Sequence, residues 1–160
     1  VEKWTQQELG HAIEHWRRHF RGQPRLLSDT EIGEVELSQH NLILFGDPSS
    51  NQVLKKIVDK LPIKWGDQQI QADKRTWDTS QHALIAVYPN PLNPKRYVVL
   101  NSGFTFREYD YLNNARQVPK LPDWAIVDLR TPPHSRGPGK IVDADFFGEK
   151  WELRPARSTP

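Results

Sequence analysis

Cysteine is absent from all 160 residues, which excludes disulfide bonds, cysteine-ligated zinc and thiol catalysis. No apolar run approaches the roughly 18 residues that a membrane-spanning helix needs, and these 160 residues predict no signal peptide. Lysine and arginine together number 22, barely more than the 20 aspartates and glutamates, and they form no long cationic run. Because phosphate neutralisation needs clustered cations, we expect no nucleic-acid partner, and we expect no membrane span.

What is present is an aromatic-rich chain of single-domain size. It has six tryptophans, six phenylalanines and four tyrosines, so it can build a sizeable core, and its 13 prolines predict many turns. We predict one α/β domain over residues 1–153 and a disordered tail over residues 154–160. The chain starts inside a helical pattern and stops in a polar tail, so we expect it to be a piece of something larger.

The chain is organised around residues 41–65, which predict a strand, a loop, a helix and a second strand. Residues 42–45 are an unbroken apolar run, which is typical of a strand covered on both faces in an α/β sheet. A turn-forming sequence follows, and then a helix whose apolar residues share one side: Val53, Leu54, Ile57, Val58 and Leu61. Pro62 ends this helix, and residues 63–65 predict the next strand.

Three further apolar runs predict strands at residues 82–88, 97–100 and 123–129. With the strand at 42–45 they predict a mixed, mostly parallel sheet of about five strands flanked by helices, of the flavodoxin or Rossmann type. The side chains expected to be almost fully buried in this sheet are Leu42, Leu44, Leu84, Ile85, Val87, Val98, Leu100, Ile126 and Val127. Residues 89–94 contain three prolines and are predicted to be neither strand nor helix. Their short length predicts antiparallel pairing of the two strands that they join.

Residues 4–21 predict the first helix, and residues 104–114 predict a short helix later in the chain. Thr5 and Glu8 have the spacing of a capping box, which would place the start of the first helix beside them. Its buried stripe is predicted to consist of Leu9, Ala12, Ile13, Trp16 and Phe20.

Three histidines, His11, His15 and His19, recur every four residues on the first predicted helix. Two histidines at this spacing can share a metal ion. On a helical wheel, however, they lie beside or opposite the apolar stripe, and no carboxylate completes an HExxH motif. We therefore predict a solvated or boundary face and no metal site.

Polar or turn-forming residues follow four of the predicted strands, at 46–51, 90–93, 101–103 and Asp128, and ligands bind at such strand ends in open α/β sheets. A helix that starts near Ser50 would also point free N–H groups at an anion or a sugar hydroxyl. The predicted ligand-binding residues are Asp47, Ser49, Ser50, Asn51, Asn90 and Asn93. We expect the 47–51 loop to cluster with Asn90 and Asn93, and Asn101 to join them less strongly. The alternative is that these residues only cap the helix and shape turns.

A small stand-alone serine hydrolase is one alternative function. Ser49 or Ser50 follows a strand, Asp128 follows a later strand and His134 lies in a loop, which is the order of an α/β-hydrolase triad. Against this, the G-x-S-x-G elbow is missing and Pro48 precedes the candidate serine. A second alternative is a flavodoxin-like domain that binds a small anion at the helix start. The loop matches no nucleotide-binding motif, and we predict no catalytic residue and no cofactor.

Four phrases of the sequence carry a resemblance to a group of known proteins. NLILFGDPSSN, LPIKW, YPNPLNPKRYVVLNSGFTF and LPDWAIVDL resemble the C-terminal region of large secreted bacterial hydrolases. In those proteins a prolyl-oligopeptidase or esterase-type α/β-hydrolase domain precedes this region. The resemblance covers roughly residues 16–147 and is most distinctive in PNPLNPKRYVVLNSG. The catalytic serine of such proteins lies in the upstream domain, so no catalytic residue is carried over to this chain.

The resemblance implies a non-catalytic accessory or binding domain of an exported multidomain hydrolase of the peptidase or esterase type. Its partner would be the upstream hydrolase domain of the same polypeptide, or an extracellular polymer. Its location would be secreted or periplasmic.

Overall fold

The computed structural model describes residues 1–103 and 121–155. The predicted helix at 104–114 and residues 156–160 of the predicted tail lie outside the described residues. Within the described ranges there are three α-helices, α1 (Glu2–Phe20), α2 (Glu34–Gln39) and α3 (Gln52–Ile57). The same ranges contain eight strands, β1 (Leu42–Leu44), β2 (Lys64–Trp65), β3 (Gln69–Ala72), β4 (Arg75–Asp78), β5 (His82–Asn90), β6 (Asn93–Leu100), β7 (Trp124–Asp128) and β8 (Lys140–Asp145).

The larger sheet has five strands in the order β1-β6-β5-β7-β8. β1 runs parallel to β6, with Leu42 opposite Val98 and Leu44 opposite Leu100. The other three pairs in this sheet, β5 with β6, β5 with β7 and β7 with β8, are antiparallel. The predicted antiparallel pairing across residues 89–94 is therefore confirmed.

A second, three-stranded antiparallel sheet has the order β2-β3-β4. The predicted mostly parallel, flavodoxin or Rossmann-type sheet flanked by helices is therefore wrong, because the described strands form two sheets that are largely antiparallel. The physical reason is loop length: a parallel crossover needs a dozen or more residues, and only Pro91 and Leu92 separate β5 from β6. The strand predicted at residues 63–65 is present as β2, but it belongs to the second sheet.

Two prolines lie inside strands, contrary to the prediction that residues 89–94 form no strand. Pro89 is in β5 and Pro94 is in β6. Proline removes a backbone donor, and it is tolerated where a strand edge is free or a bulge interrupts the ladder. β5 pairs with β7 only as far as Ala86, and β6 pairs with β1 only from Val98 onward. Both prolines therefore lie where their strand has a neighbour on one side only.

The core packs against both faces of the five-stranded sheet. On one face, buried side chains of β1, β5, β6 and β7 pack against Val53, Leu54 and Ile57 of α3 and against the second sheet. On the other face, Trp4 of α1 packs in a smaller cluster that includes Ile85. Burial on both faces explains why the strand sequences are apolar without alternation, although few of the strands are parallel.

Eight of the nine side chains predicted to be core are buried, and Val87 is the exception. Those eight are Leu42, Leu44, Leu84, Ile85, Val98, Leu100, Ile126 and Val127. Val87 is half-buried. It lies opposite Val99, which in turn lies opposite the exposed Ile43. The prediction for Val87 was wrong because its row of the sheet lies toward the protein surface.

Helix α1 is confirmed, but its predicted start and its predicted buried stripe are wrong. The helix begins at Glu2 after Val1, so Thr5 and Glu8 lie inside it and form no capping box. Its buried residues are Trp4, Thr5, Glu8 and His15. The predicted stripe is half-buried over Leu9, Ala12, Ile13 and Trp16, and Phe20 is 59% exposed. Tertiary packing therefore decides which side of the helix is buried. That side carries Trp4, whose Nε1–H donates to the Pro138 carbonyl (2.6 Å), and it is not the most apolar side of the helix.

Candidate functional site

The loop after β1 is closed by the carboxylate of Asp47. Its Oδ1 accepts hydrogen bonds from the backbone N–H groups of Ser49 and Ser50, both at 2.9 Å, and from their hydroxyls at 2.6 and 3.0 Å. Burial raises the pKa of the Asp47 carboxyl, but these four donors outweigh it and hold the pKa below its ordinary value. The two serines therefore act as hydrogen-bond donors to Asp47 within the loop, as the turn-shaping alternative describes.

The N–H groups at the start of α3 are bonded to side chains of the chain itself. Asn51 is the N-cap, and its Oδ1 accepts from the backbone N–H groups of Val53 and Leu54, both at 3.0 Å. The Gln52 N–H donates to Oδ2 of Asp29 at 2.6 Å, a bond that lowers the pKa of the Asp29 carboxyl. The Asp29 carboxylate thus occupies the position at the helix start where a bound anion was expected. This geometry lends no support to the small-anion hypothesis.

Asn101 is buried at the end of the larger sheet where β1 and β6 finish, next to the loop that follows β1. Its side chain is 0% exposed, and its Oδ1 accepts from the Gly46 N–H at 2.8 Å. Its Nδ2 donates to the carbonyls of Gly46 (2.9 Å) and Leu84 (3.1 Å). Three neighbouring strands, β1, β6 and β5, are therefore held together where Gly46 turns away from the sheet.

Asn90 and Asn93 lie at the opposite end of the sheet, so the predicted cluster does not form. Both residues flank the β5–β6 hairpin turn, and Asn93 donates to the Leu37 carbonyl at 2.8 Å. β6 has eight residues, and the seven steps from Asn93 to Leu100 span roughly 23 Å of extended chain. The expectation failed because β1 pairs with β6, whose carboxyl end carries Asn101, and not with β5.

The groups considered for a serine hydrolase are not arranged as a triad. The carboxylate of Asp128 binds Arg130, with Nε at 2.9 Å and Nη2 at 2.6 Å, and the guanidinium holds the pKa of Asp128 well below its usual range. Nδ1 of His134 accepts from the Arg136 N–H at 3.2 Å. In a triad that nitrogen would instead donate to the carboxylate. Ser49 and Ser50 donate to Asp47, as described above.

The three histidines of α1 were predicted to lie on a solvated or boundary face. His11 and His19 are half-buried, as expected of a boundary face, but His15 is only 1% exposed, and its ring centroid lies 3.7 Å from that of His11. Nδ1 of His19 donates to the backbone carbonyl oxygen of His15 at 2.9 Å. Within residues 1–103 and 121–155, no group of three His, Asp or Glu side chains is placed to hold a metal ion.

An aromatic surface that the sequence reasoning did not identify as a site lies beside the β5–β6 hairpin. It consists of Tyr88, Tyr97, Phe147 and Trp151, which we call the aromatic platform. Ring centroids are 5.4 Å apart for Tyr88 and Phe147, 5.8 Å for Tyr88 and Trp151, and 5.7 Å for Tyr97 and Trp151. Phe147 is buried, Tyr88 and Trp151 are half-buried, and Tyr97 is 45% exposed. The platform thus rises from the core to the surface, and burial raises the pKa of the Tyr88 hydroxyl.

Trp151 is held on the platform by a tight turn in a left-handed backbone conformation. Its φ is 64°, which is rare for a bulky side chain. The turn is closed by bonds from the Gly148 N–H to the Glu152 carbonyl (2.8 Å) and from the Trp151 N–H to the Gly148 carbonyl (3.0 Å). Such strain persists only where surrounding contacts impose it. The hairpin spacing of Tyr88 and Tyr97 was visible in the sequence, but the return of Trp151 to that hairpin was not.

No protein-family model, curated protein or solved structure matches this chain. The resemblance to exported hydrolases therefore remains a hypothesis from the sequence. In the part of the chain that the structure describes, no helix is long and apolar enough to cross a bilayer.

Proposed function

We propose that the chain is a non-catalytic accessory domain of an exported multidomain hydrolase, acting in a secreted or periplasmic location. It would pack on the upstream hydrolase domain of the same polypeptide or bind an extracellular polymer. The assignment to a hydrolase rests on the four sequence phrases that resemble the C-terminal region of large secreted bacterial hydrolases. A binding role is supported by the aromatic platform, because half-exposed rings on a rigid scaffold are a common means of recognition.

The arrangement of polar groups is consistent with this role. Ser49 and Ser50 close their own loop by donating to Asp47, and Asp128 holds Arg130. In a Ser-His-Asp triad the serine hydroxyl would instead donate to a histidine that the carboxylate orients. The competing proposal, a stand-alone serine hydrolase, therefore has no geometric feature in its favour.

The test is ester and peptide hydrolysis by the isolated chain. We expect p-nitrophenyl acetate and peptide p-nitroanilides to be turned over no faster by the chain than by the Ser49→Ala/Ser50→Ala double variant. Ser80→Ala is a matched control, because Ser80 also donates its N–H to an aspartate in a turn (Asp78, 2.7 Å). Turnover that survives in Ser80→Ala and disappears in the double variant would establish a serine hydrolase and refute the accessory role.

A further inference from the structure

The aromatic platform has the size and chemistry of a site for a narrow ligand. Tyr97 and Trp151 are its surface rings, and two aromatic side chains provide at most roughly 500 Å² of contact. A stable protein interface needs about 800 Å² on each partner. A ligand that satisfies the platform is therefore a slender chain that stacks against one or two rings at a time.

Pyranose rings meet this requirement, because a sugar ring has an apolar face of C–H groups. The face of an aromatic ring is negative and its edge is positive, so C–H groups are attracted to the face. Sugar hydroxyls at the rim then stay in water or bond to polar side chains. The fixed turn around Trp151 holds its indole against Tyr97 and Tyr88 before any ligand arrives, which lowers the entropic cost of binding.

Two exposed lysines are close in sequence to the surface rings of the platform and would favour a ligand of negative charge. Lys95 is exposed two residues before Tyr97, in the stretch 94–96 of β6 that the register shift leaves without partners in β5. Lys150 is exposed next to Trp151. Neither ammonium group forms an ion pair with a residue in the described parts of the chain. The nearby acidic side chains are Glu149 and Glu152, and the Glu152 carboxylate accepts from the Lys150 backbone N–H at 2.9 Å.

We infer that the aromatic platform binds a uronate-bearing polysaccharide. Pyranose rings stack on Tyr97 and Trp151, and the ring carboxylates pair with the ammonium groups of Lys95 and Lys150. One carboxylate per sugar would suit two separated lysines, and the exposed Glu149 and Glu152 on either side of Lys150 would oppose a chain of denser negative charge. This inference rests on the proposed accessory function and specifies the extracellular polymer as its ligand.

The experiment is isothermal titration of the whole chain with polygalacturonate and with the same polymer after methyl esterification, which removes the charge and keeps the rings. We expect binding to polygalacturonate, and binding at least about fivefold weaker to the esterified polymer or in 0.5 M salt, where exposed ion pairs are screened. Dextran sulfate and a proline-rich peptide are the competing ligands. If either binds more tightly than polygalacturonate, the inference is overturned.

Trp151→Gly is the decisive variant, because glycine suits the left-handed backbone at this position and the turn can form without the indole. We expect it to weaken binding about tenfold, which is 1.4 kcal/mol, while Trp151→Phe and the Phe20→Ala control stay within about threefold of the unaltered chain. The Lys95→Gln/Lys150→Gln variant should lose most of the salt dependence, and Lys74→Gln should keep it. Unchanged binding in both Trp151→Gly and the double lysine variant would refute the site.

Released reducing ends, measured in the same samples, separate the two proposals. Binding without release supports both the platform and the accessory role. Binding with release leaves the platform intact and refutes a non-catalytic function. No binding and no release refutes the platform alone.

Discussion

Replacement of Asn101 by alanine should be among the most damaging single changes in the described core. The side chain is fully buried and makes three hydrogen bonds, at 2.8, 2.9 and 3.1 Å, that join the ends of β1, β5 and β6. The residue also has a φ of 53°, in the left-handed region. Alanine would therefore leave three buried backbone groups without partners and would occupy a backbone conformation that suits it poorly.

The magnitude follows from these two contributions. Each lost bond costs about 1 kcal/mol, so three cost about 3 kcal/mol. The left-handed conformation adds ~1 kcal/mol for alanine and nothing for glycine. We therefore expect Asn101→Ala to lower the free energy of unfolding by about 4 kcal/mol and Asn101→Gly by about 3 kcal/mol. Both losses are large against the 5–15 kcal/mol that is typical of a whole domain.

Urea unfolding followed by tryptophan fluorescence measures both variants. Glycine is normally the more destabilising residue, so the predicted order, with glycine less damaging than alanine, is a specific signature of the left-handed backbone. A loss below about 0.5 kcal/mol for Asn101→Ala, or a glycine variant less stable than the alanine variant, would refute the reasoning.

Three further predictions concern the core and the loop after β1. Leu44→Ala should lower the free energy of unfolding by ~2–5 kcal/mol in urea titrations, because Leu44 is buried in β1, and a loss under ~0.5 kcal/mol would contradict its place in the core. Gly46→Ala should cost at least ~1 kcal/mol in the same assay, since φ is 119° and the added Cβ would lie 2.7 Å from the Ser50 hydroxyl; equal stability would count against this loop geometry. The lowered pKa of Asp47 means that its charged form stabilises the fold above the ordinary pKa of 3.8, and that this contribution is lost as the pH falls below it. Asp47→Asn should thus be less stable at pH 7 and lose less stability on acidification, and parallel stability–pH curves for the two proteins would contradict the prediction.

The sequence predicted β1, β2, β5, β6 and β7 as strands, but among their pairings it predicted correctly only the antiparallel pair of β5 and β6. The apolar runs of β1, β5, β6 and β7 were recognised, because burial on both faces of the larger sheet leaves a continuous hydrophobic signal. The same signal was read as a parallel sheet, since continuous runs are typical of both arrangements. Pairing depends on which strands meet in space, and local composition does not encode that choice.

The predicted site shows the same division between local and long-range information. The loop at residues 47–51 was correctly expected to be a polar turn at the end of β1, because its residue types act on their own neighbours. Because the wrong partner strand was predicted for β1, Asn90 and Asn93 were expected to lie beside this loop, and Asn101 was expected to contribute less. The aromatic platform was missed because Trp151 returns to Tyr88 and Tyr97 from more than fifty residues away along the chain.

Chemical-shift mapping of the tryptophan indole N–H signals tests the central claim most directly, namely that this domain binds a polymer through the aromatic platform. On titration with an oligogalacturonate, the Trp151 signal should move in proportion to saturation. The signals of the buried Trp4, bonded to the Pro138 carbonyl, and of the buried Trp124 should stay fixed. Shifts confined to the amides of residues 46–52, or no shift of Trp151 at saturating ligand, would contradict the account.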